Sequence, residues 1–128
     1  MVYRQKGQLR KKNIEIDRQK QIIEYKNKNI TDSINYAKNI QNAALQNPEY
    51  LKKMFPESFI LFQPKDIVSG DFYWFKEIPS GKKFIAAVDC TGHGVPGAFL
   101  SFIVNNILND AIKEGKDNSA AILNFLSS

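Results

Sequence analysis

The fold is decided by one stretch of the sequence, Phe84-Ile85-Ala86-Ala87-Val88-Asp89-Cys90-Thr91-Gly92-His93-Gly94-Val95-Pro96-Gly97-Ala98. Its apolar first part predicts a strand over Lys83 to Asp89, with the Asp89 carboxylate at a buried strand end. The loop that follows contains three glycines, and Pro96 is suited to the first turn of a helix. A strand, an aspartate, a Gly-rich loop and a helix N-terminus together predict a site for cations and phosphates, because carboxylate oxygens bind Mg²⁺ or Mn²⁺ and helix N–H groups attract anions.

A second aspartate lies upstream, in the aromatic-rich stretch Ile67 to Lys76. Asp71 follows a glycine there, which indicates a bulge or a close backbone approach. The turn residues Pro79-Ser80-Gly81 predict an antiparallel hairpin between this stretch and the strand that ends at Asp89. Two aspartates on neighbouring strands can share one or two ions that activate water for attack on phosphate. The residues alone leave other interpretations open: Asp71 as the cap of a turn, Asp89 as the cap of the loop, or a nucleotide-binding loop.

Other kinds of chemistry are less well supported by the sequence. Ser69 is a poor candidate nucleophile, because His93 would have to be its base and no G-x-S-x-G motif is present. We interpret His93 as a structural residue or a hydrogen-bonding neighbour of the site. Cys90, the only cysteine, is interpreted as a small buried side chain. A single cysteine excludes an internal disulfide and a cysteine-based zinc site, and it favours a reducing compartment.

The elements predicted around this site complete an α+β unit. The apolar run Glu57 to Gln63, between two prolines, predicts another strand. Downstream, an apolar stripe predicts a helix over Gly97 to Glu114, which the following glycine ends. Asn118 or Ser119 is expected to cap a last helix.

The first part of the chain differs in composition. Residues 1 to 53 carry twelve Lys and Arg against five Asp and Glu, whereas most of the Phe and the only Trp lie between Phe55 and Phe102. No Gly or Pro interrupts Gln8 to Asn47, so a helix of about 40 residues is predicted. Pro48 then opens a short second helical piece that runs to Met54.

One face of the long predicted helix repeats an apolar or small residue at every seventh position: Leu9, Ile16, Ile23, Ile30, Ala37 and Ala44. The second seam of the heptad is polar at first and apolar only towards the end. We interpret the helix as a coiled-coil-like parallel stalk through which the chain forms a homodimer. A solvated, partly frayed helix is the plain alternative, and a calmodulin-type target helix is a weaker one. Nucleic-acid binding is not expected, because acids are interleaved with the bases and no aromatic residues are placed for base stacking.

The expected location is the cytoplasm. No apolar run reaches the length that spans a bilayer, and the N-terminus lacks the apolar core of a signal peptide. The sequence therefore predicts no membrane segment.

Two motifs, taken together and in this order, resemble a known family. They are Pro64-Lys65-Asp66-Ile67-Val68-Ser69-Gly70-Asp71-Phe72-Tyr73-Trp74 and Val88-Asp89-Cys90-Thr91-Gly92-His93-Gly94-Val95-Pro96-Gly97-Ala98. Both are similar to motifs of the sporulation stage II E (SpoIIE)-type serine phosphatases, the bacterial branch of the metal-dependent protein phosphatase 2C superfamily. The segment Ile30 to Leu45 is similar to the helical linker that precedes this domain. The resemblance implies a four-layer α-β-β-α sandwich, of which Met54 to Ser128 would be the first half.

The resemblance assigns the site residue by residue. It matches Asp71 to the first metal-binding aspartate and Asp89 to the aspartate that bridges two Mn²⁺ or Mg²⁺ ions, with the backbone carbonyl of Cys90 as an adjoining ligand. The loop Thr91-Gly92-His93-Gly94 matches the turn beside the metals. In that family, water activated by the metals attacks the phosphorus of phosphoserine or phosphothreonine in a partner protein, often an anti-anti-sigma-type regulator. The two aspartates are therefore the catalytic residues that the resemblance implies.

The resemblance also has a limit. After Asp89 the only acids are Asp110, Glu114 and Asp117, and none lies in the family's later ligand motifs. We therefore expect the N-terminal part of a phosphatase, with an incomplete metal site and no appreciable activity by itself. The expected organisation is a helical, coiled-coil-like linker (1–47), a short connecting helix and turn (48–56) and a partial phosphatase 2C-like domain (57–128). The alternative is a non-catalytic dimerisation and interaction protein that carries a phosphatase remnant.

Overall fold

The computed structural model describes residues 2–127 as an α+β chain. Its elements are, in order, helix α1 (Val2–Ala44), helix α2 (Pro48–Met54), strand β1 (Phe72–Glu77), strand β2 (Lys83–Val88), helix α3 (Gly94–Lys113) and helix α4 (Ser119–Leu126). The predicted fold class, with a long N-terminal helix before a small sheet, is confirmed. The chain divides into two compact units, Met1–Ser33 and Ile34–Ser128.

Helix α1 has 43 residues and a largely polar surface. It begins before the predicted start because Gly7 lies within the helix, where a single glycine costs only about 1 kcal/mol relative to alanine. It ends at Ala44 rather than at Asn47, because Asn47 caps the next helix: its Oδ1 accepts a hydrogen bond from the Glu49 N–H at 2.9 Å. The short second helix from Pro48 to Met54 is thereby confirmed.

The apolar seam of the first unit is exposed. The side chains at its heptad positions keep half or more of their surface accessible: Leu9 60%, Ile16 50%, Ile23 56% and Ile30 57%. Within the described residues these side chains thus stay largely accessible, to solvent or to a second helix.

The predicted antiparallel hairpin is confirmed. Strands β1 and β2 pair from Phe72↔Val88 at one end to Glu77↔Lys83 at the other. The turn between them is closed by hydrogen bonds from the Gly81 N–H to the Ile78 carbonyl at 2.8 Å and from the Ile78 N–H to the Lys82 carbonyl at 3.0 Å. Gly81 has a φ of 82°, a left-handed value that glycine adopts without strain.

The predicted strand over Glu57 to Gln63 is wrong for the chain as described. The segment is irregular, and its Phe59 and Leu61 side chains are 83% and 75% exposed. A strand needs a neighbour to pair its backbone N–H and C=O groups, and the hairpin, which is the sheet found within residues 2–127, does not extend to this segment. A short apolar run between two prolines therefore did not by itself form a strand here.

Helix α3 begins at Gly94, three residues earlier than predicted, with Pro96 in its first turn, where a missing N–H costs nothing. It ends as predicted at a glycine: Gly115 has a φ of 76°, and its N–H donates to the Ile112 carbonyl at 3.0 Å. The cap of α4 is Asn118, whose Oδ1 accepts from the Ala121 N–H at 2.9 Å.

The core lies between the hairpin and the two C-terminal helices. Its buried residues are Phe72, Trp74, Cys90, Leu108, Ala111 and Ile122. Trp74 is 2% exposed, and its indole Nε1–H donates to Asn109 Oδ1 at 3.2 Å. The hairpin is thus held against α3 by both apolar packing and a directional bond.

Helix α3 also has the length and apolar composition that a membrane span requires, which the sequence pattern had not predicted. One such helix is a weak indication, because core helices of soluble proteins pass the same test. Here Ser101, Asn105, Leu108 and Ala111 of this helix are buried within the protein. One face of α3 therefore belongs to the core.

Candidate metal centre

The hairpin brings Asp71 and Asp89 together. Phe72 and Val88 form the last pair of the hairpin, so Asp71, just before β1, and Asp89, just after β2, lie at the same end of the two strands. Their side chains interact: a hydrogen bond with Asp89 raises the pKa of Asp71, and desolvation and the Asp89 charge add to it in the same direction. Two carboxylates this close favour either a shared proton or a bound cation.

The sequence predicted that Asp89 lies at a buried strand end, and this prediction is wrong because Asp89 is exposed. Along β2 the residues alternate between half-buried and exposed, and Asp89 continues the exposed set. The physical reason is that only one face of this two-stranded hairpin is covered by helices. Asp71 is exposed as well. Both carboxylates border an open cleft of about 490 Å³, which Phe62 and Tyr73 also line.

The segment before Asp71 is fixed by contacts between main chains. A Cβ added to Gly70 would lie 2.8 Å from the Gly92 carbonyl oxygen and 3.0 Å from that of Cys90. These contacts are closer than a real Cβ tolerates, so the glycine that the sequence places before Asp71 is required by a close backbone approach, as predicted. The approach brings the carbonyl oxygen of Cys90 next to the residue that precedes Asp71.

The loop from Thr91 to Gly94 turns sharply beside the two aspartates. Gly92 and Gly94 have φ values of 94° and 63°, which side chains other than glycine rarely adopt. His93 precedes the first residue of α3, and its Nδ1 lies 2.9 Å from Asp66 Oδ2. His93 is therefore hydrogen-bonded to the segment before β1, in keeping with a structural role.

Cys90 is buried, as the sequence predicted. Desolvation raises the pKa of its thiol, and the charges of Asp71 and Asp89 raise it further. The thiol therefore stays protonated at neutral pH and is a poor nucleophile. The part of Cys90 that is available to the site is its backbone carbonyl.

Two residues near the site were missed by the sequence analysis as participants. Asp66 binds His93, and Gln41 of α1 binds the backbone of Ser69 just before Asp71. The sequence does not indicate the partner of either residue. A single polar side chain on a loop or a helix can form hydrogen bonds with many different groups, so neither its residue type nor its spacing identifies the partner.

The donor atoms at this end of the hairpin fit a hard divalent cation in part. The Asp71 and Asp89 carboxylates and the Cys90 carbonyl supply oxygen ligands of the kind that Mg²⁺ and Mn²⁺ prefer. The side-chain hydrogen bond with Asp89 raises the pKa of Asp71, and a bound cation would favour the charged carboxylate instead. Within residues 2–127, no group of three or more His, Cys, Asp or Glu side chains is arranged to hold a metal. Among the described residues, this end of the hairpin thus brings together two carboxylates and no third acidic side chain.

No family model matches this chain, and no curated protein matches it either. Among solved structures, the chain is similar to the SiaA-PP2C domain of Pseudomonas aeruginosa, with 40% sequence identity and a TM-score of 0.65. The similarity covers 77% of this chain and 40% of that one, so this chain spans less than half of that domain's length. Sequence and fold together support a phosphatase 2C-type domain, of which this chain matches a part.

Proposed function

We propose that this chain carries the first part of a SpoIIE-type phosphatase 2C domain, which hydrolyses phosphoserine or phosphothreonine in a partner protein. The observation that carries the proposal is the Asp71–Asp89 pair at one end of the hairpin, in a chain whose fold and sequence are similar to the SiaA-PP2C domain. The glycine contacts around Gly70 support it, because they bring the Cys90 carbonyl beside the same end of the hairpin.

Each residue of the site has a proposed role. Asp71 and Asp89 would hold Mn²⁺ or Mg²⁺, with the Cys90 carbonyl as a neutral ligand and the loop Thr91 to Gly94 as the turn beside them. A bound divalent cation supplies Lewis-acid activation of water and of the phosphoryl group. Loss of the proton that Asp71 holds more tightly than usual would prepare that carboxylate for the cation.

Two acidic ligands bind a divalent cation weakly, so we propose that the chain by itself has little or no phosphatase activity. The domain of the solved structure extends well beyond the matched part, and the further acidic ligands of a two-ion site would come from an equivalent region. The proposed substrate is a phosphorylated regulator of the anti-anti-sigma type, and the proposed location is the cytoplasm, in keeping with one reduced, buried cysteine.

The test of this function is Mn²⁺ binding followed by hydrolysis. Isothermal titration of the chain with Mn²⁺ should show weak binding that Asp89→Asn abolishes, and Asp110→Asn, an exposed acid on α3, serves as the matched control. Hydrolysis of p-nitrophenyl phosphate and of a phosphoserine peptide should be negligible for the chain. The same residues within a complete domain should support Mn²⁺-dependent turnover that Asp89→Asn removes. Equal Mn²⁺ binding by the chain and by its Asp89→Asn variant would refute the proposed metal centre.

A second candidate function rests on a separate observation, the exposed heptad seam of α1. In this version the chain is a dimerisation and interaction protein, and the phosphatase-like unit is a remnant without turnover. Homodimerisation through α1 is common to both proposals. They differ in Mn²⁺ binding and in turnover by the complete domain, which the remnant would lack.

Dimerisation itself is tested by sedimentation equilibrium. The chain should sediment as a dimer, and Ile23→Asp, which puts a charge into the middle of the seam, should sediment as a monomer. Ile22→Asp is the matched control, because Ile22 is also exposed, at 44%, but lies outside the seven-residue repeat. A monomeric parent chain would exclude the stalk interpretation.

A further inference from the structure

The loop Thr91 to Gly94, between β2 and α3, has few contacts of its own. Most of it is exposed, and Gly92 and Gly94 adopt left-handed backbone angles. Within residues 2–127, the side-chain hydrogen bond found for this loop joins His93 Nδ1 to Asp66 Oδ2 at 2.9 Å. A glycine-rich loop that is mostly exposed has many conformations available, so a single contact can decide which of them is populated.

The two side chains of this bond join the loop to the segment before β1. His93 occupies the N-cap position of α3, but its side chain forms no capping bond with the helix. A carboxylate oxygen accepts hydrogen bonds, so Nδ1 is the ring nitrogen that carries the hydrogen here. A Cβ added to Gly94 would lie 3.7 Å from the same Asp66 Oδ2. The Asp66 carboxylate thus lies beside two consecutive residues of the loop.

A second contact joins the same two segments closer to the candidate metal centre. Gly70 packs against the carbonyl oxygens of Cys90 and Gly92, at 3.0 and 2.8 Å from the position of an added Cβ. The segment before β1 and the loop after β2 therefore meet at two places, through main chains at Gly70 and through side chains at Asp66. Close packing limits how near the loop can come, whereas a hydrogen bond also sets its direction.

We propose that Asp66 is a positioning residue for the candidate metal centre: its hydrogen bond with His93 holds the loop against the segment before β1, and so fixes the Cys90 carbonyl beside Asp71. The inference rests on the proposed function, and it adds a residue outside the proposed ligands that controls their arrangement. The bond is open to water, since 81% of the His93 side chain is accessible, so it orders the loop and contributes little to the stability of the fold.

Five variants of the full chain test this. Asp66→Ala removes the acceptor, His93→Ala removes the donor, and the double variant shows whether the two residues act through each other. Asp66→Asn keeps an acceptor oxygen at the same place and removes the charge. Asp117→Ala is the matched control, because Asp117 accepts an exposed hydrogen bond from Lys82 Nζ at 2.7 Å at the opposite end of the hairpin.

Two readouts are taken on each ¹⁵N-labelled variant. The first is the Mn²⁺ concentration that half-broadens the amide signals of Asp71 and Asp89. The second is the ¹H–¹⁵N heteronuclear NOE of the Gly92 amide without metal, compared with that of the Trp74 amide in β1. The NOE reports order on the picosecond to nanosecond timescale, so it separates a loosened loop from a weakened fold.

Asp66→Ala and His93→Ala should each raise the half-broadening Mn²⁺ concentration by about three- to tenfold and lower the NOE at Gly92 but not at Trp74. The double variant should lose no more than either single variant, because each single variant already removes the whole bond. Asp66→Asn and Asp117→Ala should stay within about twofold of the parent. All five variants should remain folded.

If the parent chain shows no Mn²⁺ broadening, the proposed metal centre fails, and the NOE at Gly92 alone decides whether Asp66 fixes the loop. Folded alanine variants with parental values in both readouts overturn the proposal. Losses that add up in the double variant also overturn it, because the two residues then act separately. Equal losses in Asp66→Asn and Asp66→Ala would assign the effect to the charge of Asp66 instead of its bond. Unfolding of both single alanine variants, with Asp117→Ala folded, would make the bond a stability contact, which again overturns the proposal.

Discussion

The backbones of Gly70 and Gly97 are in direct contact. A Cβ placed on Gly97 would lie 3.0 Å from the Cα of Gly70, 3.1 Å from its nitrogen and 2.7 Å from the Gly92 carbonyl oxygen. The atoms on both sides belong to the main chain, so a side chain cannot rotate to make room. This contact joins the first turn of α3 to the residue before Asp71, and the geometry of the candidate site depends on it.

Gly97→Ala should therefore destabilise the unit that contains the site. Forcing one methyl group into a closed contact typically costs about 1 to 3 kcal/mol. Gly7→Ala is the control: nothing lies within 4 Å of an added Cβ there, and removing a glycine from a helix should stabilise by up to about 1 kcal/mol. Thermal unfolding followed by circular dichroism measures both. A Gly97→Ala variant as stable as the parent would contradict the contact.

The Asp71–Asp89 pair predicts a dependence of stability on pH. Because the pKa of Asp71 is raised in the folded chain, the folded state binds its proton more tightly than the unfolded state, whose pKa is near 3.8. The corresponding stabilisation is present below that value and is lost as pH rises through the raised pKa. In EDTA at pH 7, Asp71→Asn should thus unfold at the same temperature as the parent or slightly higher.

The same substitution should act in the opposite direction on metal binding. Asp71→Asn removes one of the two acidic ligands, so Mn²⁺ should raise the unfolding temperature of the parent and leave that of the variant unchanged. A variant that is less stable than the parent in EDTA would show that the two carboxylates do not repel each other.

The core predicts a large difference between two positions on α3. Leu108 is 3% exposed and packs against the hairpin, so Leu108→Ala should cost about 2 to 5 kcal/mol. Ile103 on the same helix is 50% exposed, and Ile103→Ala should cost less than about 1 kcal/mol. Urea unfolding of both variants gives the comparison. Similar losses at the two positions would mean that another surface covers Ile103.

The start of α4 depends on the side chain of Asn118. Its Oδ1 accepts from the Ala121 N–H at 2.9 Å, and Asn118→Ala should cost about 1 kcal/mol because that N–H loses its partner. Asn124→Ala, at an exposed position inside the same helix, should be neutral or slightly stabilising because alanine is the better helix former. Equal effects of the two substitutions would argue against the cap.

Much of this architecture could be predicted from local patterns. The hairpin followed from two apolar runs around a Pro-Ser-Gly turn, and α3 and α4 followed from apolar stripes bounded by Gly115 and Asn118. The meeting of Asp71 and Asp89 required only the register of that hairpin. Each of these features depends on residues that are close in sequence.

The errors concern features that depend on distant partners. Whether Glu57 to Gln63 forms a strand depends on a neighbouring strand, which an apolar run does not reveal. Whether Asp89 is buried depends on what covers the second face of the hairpin. The contact between Gln41 and Ser69 could not be predicted, because the two residues lie 28 positions apart in the sequence. Polar side chains carry no periodic signal that points to such partners.

The position of Trp74 also allows unfolding to be followed by intrinsic tryptophan fluorescence. It is the only tryptophan, it is 2% exposed, and it is bonded to Asn109 of α3. Emission excited where tryptophan alone absorbs therefore comes from one point in the hairpin core and should shift to longer wavelengths when the hairpin separates from α3. Unfolding of the site-bearing unit can thus be followed without a label, whereas circular dichroism reports the helix content of the whole chain.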